Sequence, residues 1–218
     1  MQLLFGAALP VALALGPWLA RVAERLATRE DTARPGPLRT ALTTVAFAGL
    51  LAGAVELTGA RPATAALAWA AGAAVVLGAV DLASHRLPYR VTYPAAGVCG
   101  AALLVDAAVL GSWPDLVRAL AAATAAFAVG YGAAAISPDA LGFGDVKLLG
   151  LLCLILGWFG WGVLLAGMFL GLLTGAAVSL ALLATRRAGW RTALPFGPPL
   201  MVGAVLALAL GATSPLGW

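Results

Sequence analysis

The chain has 218 residues, of which 62% are hydrophobic and only 10% charged, with a net charge of +4. No soluble domain of this size hides so much apolar surface, which excludes a water-soluble enzyme. The positive balance does not indicate a nucleic-acid partner, because the cations sit between apolar runs, and the alternating ten-residue strands of a membrane β-barrel do not occur.

Apolar runs long enough to cross a bilayer follow one another along the whole chain. They cover roughly residues 2–20, 40–59, 63–80, 91–110, 116–136, 146–158, 162–184 and 198–212. The pattern predicts an all-α polytopic integral membrane protein with about eight transmembrane helices, the sixth of them short. Abundant Ala and Gly suit helices packed closely in lipid. The first run has no basic residue before it and is followed by Arg21, Arg25 and Arg29, so it reads as a retained span and not as a cleaved signal. The connector 21–39 is mixed in charge, carries Pro35 and Pro37, and leaves no room for a folded domain. Cys99 and Cys153 each lie inside an apolar run and form no CxxC pair, so they read as packing residues without a zinc site.

Sidedness follows from the basic residues. With the N-terminus outside, the 13 Lys and Arg fall in loops on the cytoplasmic side, except Arg61 and Arg118. That set includes Arg186, Arg187 and Arg191 in the loop before the last span. The same orientation puts Asp81 and Asp145 on one, cytoplasmic, side.

Those two carboxylates belong to the most informative strings of the chain. Asp81-Leu82-Ala83-Ser84-His85-Arg86-Leu87-Pro88 closes the third span, and Gly142-Phe143-Gly144-Asp145-Val146-Lys147 opens the sixth. A carboxylate so close to hydrocarbon is costly, and its default reading is functional. Two of them within reach of one another suit acid–base hydrolysis, one activating water while the other, protonated, polarises a carbonyl. Gly142 and Gly144 are read as a flexible backbone without side-chain bulk, which an extended peptide can approach. Pro88 is read as the residue that stops the segment after Asp81 from continuing as helix. Helix direction favours an anion at Asp145, beside a helix N-terminus and Lys147, so Asp145 is expected to be the base and Asp81 the protonated partner.

Other polar residues have plainer readings. Lys147 either stabilises the Asp145 anion or snorkels to headgroups as an anchor. His85, the only histidine, reads as a solvated loop residue, and Arg86 and Arg90 as anchors. Glu56 and Asp106, near the outer ends of their spans, are expected to be solvated by headgroups. Asp139 is a candidate third carboxylate, although Ser137-Pro138 before it suits a turn.

Taken together, the motifs resemble those of the bacterial prepilin peptidases, the type IV leader peptidase family of GxGD membrane aspartic proteases. The resembling segments are Asp81 to Leu87-Pro88, Gly142 to Lys147, and Pro195-Phe196-Gly197-Pro198, in family order over about residues 63–212. The resemblance implies that Asp81 and Asp145 are the catalytic pair. It also implies cleavage of the basic leader of prepilin or pseudopilin precursors after a Gly, at the cytoplasmic face of the bacterial inner (plasma) membrane. Residues 1–62 would then be N-terminal spans with a connector, and 63–218 the peptidase core. No cofactor or metal is expected, and the partners are the precursor substrate and the bilayer. The chain departs from the family in two places. Tyr89 stands where Asn is usual after Leu/Ile-Pro, and the 21–39 connector lacks the cysteine-bearing domain of members that also methylate the new N-terminus. Methylation is therefore not expected.

Two rival classes fit the sequence less well. Presenilin-like GxGD proteases acting on other single-span substrates carry Tyr before the first Asp and a late Pro-Ala-Leu, whereas this chain has Val80 and Pro-Phe-Gly-Pro. A small proton- or cation-coupled transporter would be supported by inverted repeats, and none is visible.

Overall fold

The computed structural model describes residues 2–136, 142–185 and 195–213, and all regular structure among them is α-helical. Eight helices follow in chain order: α1 Gln2–Thr28, α2 Pro37–Thr58, α3 Pro62–Ser84, α4 Tyr89–Leu110, α5 Trp113–Ile136, α6 Phe143–Phe159, α7 Trp161–Ala184 and α8 Gly197–Thr213. Each contains one of the expected apolar runs to within one residue, the exception being Gly59 just past the end of α2. Five of them (α2, α3, α4, α5 and α7) are long and apolar enough to cross a membrane, with 22 to 24 residues each. At 1.5 Å per residue such helices measure about 33–36 Å, against a hydrocarbon core of about 30 Å. The protein is a multi-pass membrane protein. With 17 residues, α6 reaches only about 25 Å, consistent with the expected short sixth span.

The helix boundaries follow from local chemistry. Pro37 and Pro62 begin α2 and α3, where a missing N–H costs nothing. Gly59 and Gly111 end α2 and α4 at positive φ, which glycine adopts without strain. A single residue, Gly160, joins α6 to α7 with φ 143° and ψ 161°, a conformation open in practice only to glycine. The connector after the first helix is shorter than expected. Helix α1 runs on through Arg21 and Arg25 to Thr28, so only residues 29–36 lie between α1 and α2. Across that connector the Arg39 guanidinium donates to Glu24 at 2.7 Å, tying the two helices beyond their apolar parts.

The chain forms two compact units, Met1–Val117 and Arg118–Trp218, with the division inside α5. In the first, small and large apolar residues interdigitate: Ala12, Leu19 and Ala23 of α1 meet Phe47 and Leu51 of α2 and Val76 and Val80 of α3. Gly16 lets α1 approach α2 so closely that a Cβ there would sit 2.8 Å from the Thr44 Cα. In the second unit, Ala122, Cys153, Leu156, Leu164, Ala204 and Ala207 gather side chains of α5, α6, α7 and α8. Helices α7 and α8 meet where a Cβ on Gly203 would fall on the Gly171 backbone, so Gly203 cannot carry a side chain without separating the helices. Among the described residues no buried side-chain polar atom lacks a hydrogen-bond partner.

One expectation about the outer residues is corrected. Asp106 is fully buried and not solvated by headgroups. Its carboxylate accepts from Arg61 Nε at 2.9 Å, from Arg61 Nη2, and from the Ala63 backbone N–H at 2.9 Å. Arg61 also donates to the Ser112 hydroxyl at 3.3 Å. The Asp106 hydrogen bonds raise Arg61 above its ordinary value, against the opposing pull of partial burial, so the guanidinium stays charged. This network clamps the start of α3 to the end of α4. Glu56 is exposed, as expected.

Candidate active site

Asp81 lies in the last turn of α3, three residues before its final residue Ser84, and is only 4% exposed. What stops α3 is His85, not Pro88. His85 takes the left-handed conformation (φ 51°, ψ 43°), and its N–H donates to the Asp81 carbonyl at 2.8 Å. A non-glycine residue there costs roughly 1–2 kcal/mol. This exposed histidine therefore ends α3 in a strained left-handed turn beside Asp81, a role its loop reading missed. Pro88 acts one step later. It forces Leu87 out of helical backbone and is the N-cap of α4, its carbonyl accepting from Val91 N at 3.0 Å.

Asp145 is the third residue of α6, and Gly142 is that helix's N-cap. The Asp145 N–H donates to the Gly142 carbonyl at 3.0 Å. The carboxylate curls back over the same glycine, so that a Cβ on Gly142 would sit 3.3 Å from Oδ2. Gly142 has φ −69° and ψ 142°, backbone that any residue adopts. These angles do not require glycine, and what the missing side chain leaves here is space for the Asp145 carboxylate. Gly144 lies in the helical first turn with no left-handed backbone. Asp145 and Lys147 are both half-buried, and Val146 between them is fully buried. Phe143 is exposed, with its ring edge-on to Tyr131 of α5 at a centroid distance of 5.5 Å.

The third motif segment packs on α7. The Phe196 ring approaches the Cβ position of Gly175 to 3.7 Å, and the Thr174 hydroxyl donates to the Pro199 carbonyl at 3.0 Å. Asp139, with Ser137 and Pro138, lies outside the described residues, as do Arg186, Arg187 and Arg191. Thus α6 brings Gly142, Gly144, Asp145 and Lys147 together, and the α3–α4 junction carries Asp81 and Pro88. The two groups belong to different compact units.

A sequence model of the type IV leader peptidase family matches residues 65–183, more than half of the chain. The chain belongs to that family. It is a peptidase-family membrane protein, and no curated protein or solved structure matches it. The matched stretch contains both motif aspartates, and Pro195-Phe196-Gly197-Pro198 lies beyond its end.

Within this leader peptidase-family chain the Gly142 geometry makes a direct expectation. Gly142→Ala leaves the backbone unstrained but puts a methyl group 3.3 Å from Asp145 Oδ2, closer than an ordinary carbon–oxygen contact. Peptide cleavage should fall about tenfold, equivalent to about 1.4 kcal/mol of barrier, with helical content unchanged. Steady-state kinetics beside circular dichroism reads both. An undiminished rate in a folded Gly142→Ala protein would show that the carboxylate does not need the room.

Proposed function

We propose that the protein is an aspartic endopeptidase whose catalytic pair is Asp81 and Asp145. The observation that carries this reading is the placement of one carboxylate at a helix end in each motif segment, the first almost fully buried and the second curled over its N-cap glycine. Buried or helix-end carboxylates in an apolar protein are costly unless used.

In the proposed reaction Asp145, at the positive end of α6, is the base. It takes a proton from water as the water oxygen attacks the scissile carbonyl. Asp81, protonated, donates to that carbonyl oxygen and stabilises the tetrahedral intermediate. On collapse the C–N bond breaks, the leaving amine takes up the proton held by Asp145, and Asp81 recovers its own. Gly142 leaves the base room to reorient, and Lys147 supplies positive charge nearby. Pro88 fixes the exit of the chain after the Asp81 segment.

The substrate we infer is a prepilin-like precursor, cut after a Gly that separates a basic leader from an apolar helix. The distribution of basic residues supports an active site at the cytoplasmic face of a bacterial plasma membrane. Proteolysis alone is proposed, since residues 29–36 between α1 and α2 leave no space for a second, methylating domain.

The test is cleavage in detergent of a synthetic peptide with a basic leader, a Gly and an apolar segment. Mass spectrometry should locate one cut, after the Gly, and a metal chelator should leave the rate unchanged. A cut elsewhere, no cut, or chelator-sensitive cleavage would overturn the reading.

A further inference from the structure

Arg118 is one of the two basic residues that the charge pattern sets apart from the others, and the structure gives its guanidinium a specific task at the end of α6 away from Asp145. Its Nε donates to the Gly157 carbonyl and its Nη2 to the Trp158 carbonyl, each at 2.6 Å. These are among the last four carbonyls of α6, which have no partner within the helix. The need is acute because α6 is short. A helix of about 25 Å cannot bring both ends to water across about 30 Å of hydrocarbon, so its terminal backbone groups need partners from the protein.

The contact between α5 and α6 shows why such an anchor matters. Near Arg118 the helices touch backbone to backbone: a Cβ on Gly157 would lie 2.8 Å from the Ala122 Cβ and 3.1 Å from the Ala119 Cα. Midway, a Cβ on Gly150 would meet the Phe127 Cβ at 3.8 Å. At the other end Val146, the residue after Asp145, fills the hollow above Gly130, where a Cβ would lie 3.2 Å from Val146 Cγ1. Small-residue faces allow this close approach, but the side-chain contacts along them are apolar and non-directional. Two charge-assisted hydrogen bonds from one rigid fork are directional and resist sliding along the axis.

We propose that Arg118 is a positioning residue: by holding the terminal carbonyls of α6 it sets the height of that helix along α5, and with it the height of the Asp145 carboxylate. The proposal rests on Asp145 being catalytic, as proposed above. A displacement of about 1 Å at a reacting group costs on the order of a hundredfold in rate, so a far-end anchor has leverage on the chemistry. Arg118 touches no reacting atom in this scheme. Lys is a poor substitute because an ammonium does not reproduce the planar fork.

Two readouts on the full-length protein test this. The first is the labelling rate of Phe143→Cys by a membrane-impermeant maleimide, against the parent chain, whose Cys99 and Cys153 are buried. Adding Arg118→Gln should change that rate more than about threefold, because the start of α6 moves. The second is kinetic: in an otherwise native chain Arg118→Gln should lower kcat by about ten- to a hundredfold with KM nearly unchanged. Arg118→Lys should fall between it and the parent in both readouts. A folded Arg118→Gln protein with unchanged labelling, or with shifted labelling and unchanged kcat, overturns the proposal. Should Arg118→Gln not fold, Arg118→Lys decides, and parental values in it overturn the proposal. The labelling arm does not depend on the chemistry, whereas an active Asp145→Asn protein would sink the catalytic reading alone.

Discussion

Asp81→Asn and Asp145→Asn should each reduce cleavage of a prepilin-like peptide by at least about a thousandfold, near the limit of detection. Positioned acid–base groups contribute typically 10²–10⁴-fold, and in a dyad each carboxyl serves in both the attack and the collapse of the intermediate. Asn keeps the shape of Asp but neither accepts nor returns the proton. The substitution is well suited to Asp81, which is 4% exposed, because an isosteric amide leaves no cavity there. At Asp145 it keeps a side-chain oxygen near the N-terminus of α6, so the helix start should persist. The measurement is the initial cleavage rate of purified protein, read beside the thermal melt of each variant. Full activity in either folded variant would remove that residue from the pair. Loss in both, with parental melts, would separate chemistry from folding.

The second large effect concerns stability. Asp106→Ala should destabilise the first unit by about 3 kcal/mol, the lower end of what removing one partner of a buried ion pair costs. The lower end applies because the Arg61 side chain is 33% exposed and can turn toward water, whereas Asp106 is wholly enclosed. The variant strips Arg61 of its carboxylate and leaves the Ala63 N–H, at the first turn of α3, without its acceptor. Removing the stranded charge as well, as Arg61→Leu with Asp106→Ala, should recover part of the loss, since no unpaired charge then remains although the Ala63 N–H still lacks its acceptor. The midpoint of unfolding in a denaturing detergent reads both. A parental midpoint for Asp106→Ala would mean that the network is ornamental, and a double variant no better than the single would mean that the lost energy was not electrostatic.

Much of the architecture was legible from composition alone, because a bilayer demands long apolar helices and leaves few alternatives. The eight expected apolar runs fall on the eight described helices to within one residue, and five of those helices are long and apolar enough to span a membrane. The discrepancies lie where solvated residues continue a helix, as in α1, which carries Arg21 and Arg25 beyond the apolar run before stopping at Thr28. Hydropathy marks the hydrocarbon, whereas a helix ends where its hydrogen bonds and backbone angles change. For the same reason Pro88 looked like the stop of α3 when His85 does that work, since positive φ in a non-glycine residue leaves little trace in sequence.

The aspartate motifs and the family were readable because residue type and spacing carry them: carboxylates beside glycine and proline at the edges of apolar runs are few. Arg61 and Arg118 also announced themselves, as the two exceptions to the charge asymmetry, but sequence offered no partner for either. Asp106 lies 45 positions from Arg61, and the Gly157 carbonyl 39 from Arg118. Such pairings depend on which faces of neighbouring helices meet, a property of packing that one-dimensional periodicity in an almost uniformly apolar chain does not encode. Sequence therefore determined that this is a helical membrane protein and which carboxylates bear its motifs. Only the tertiary structure decided how the polar side chains between those motifs are satisfied, because burial in a medium without water requires a partner for each and leaves folding to choose it.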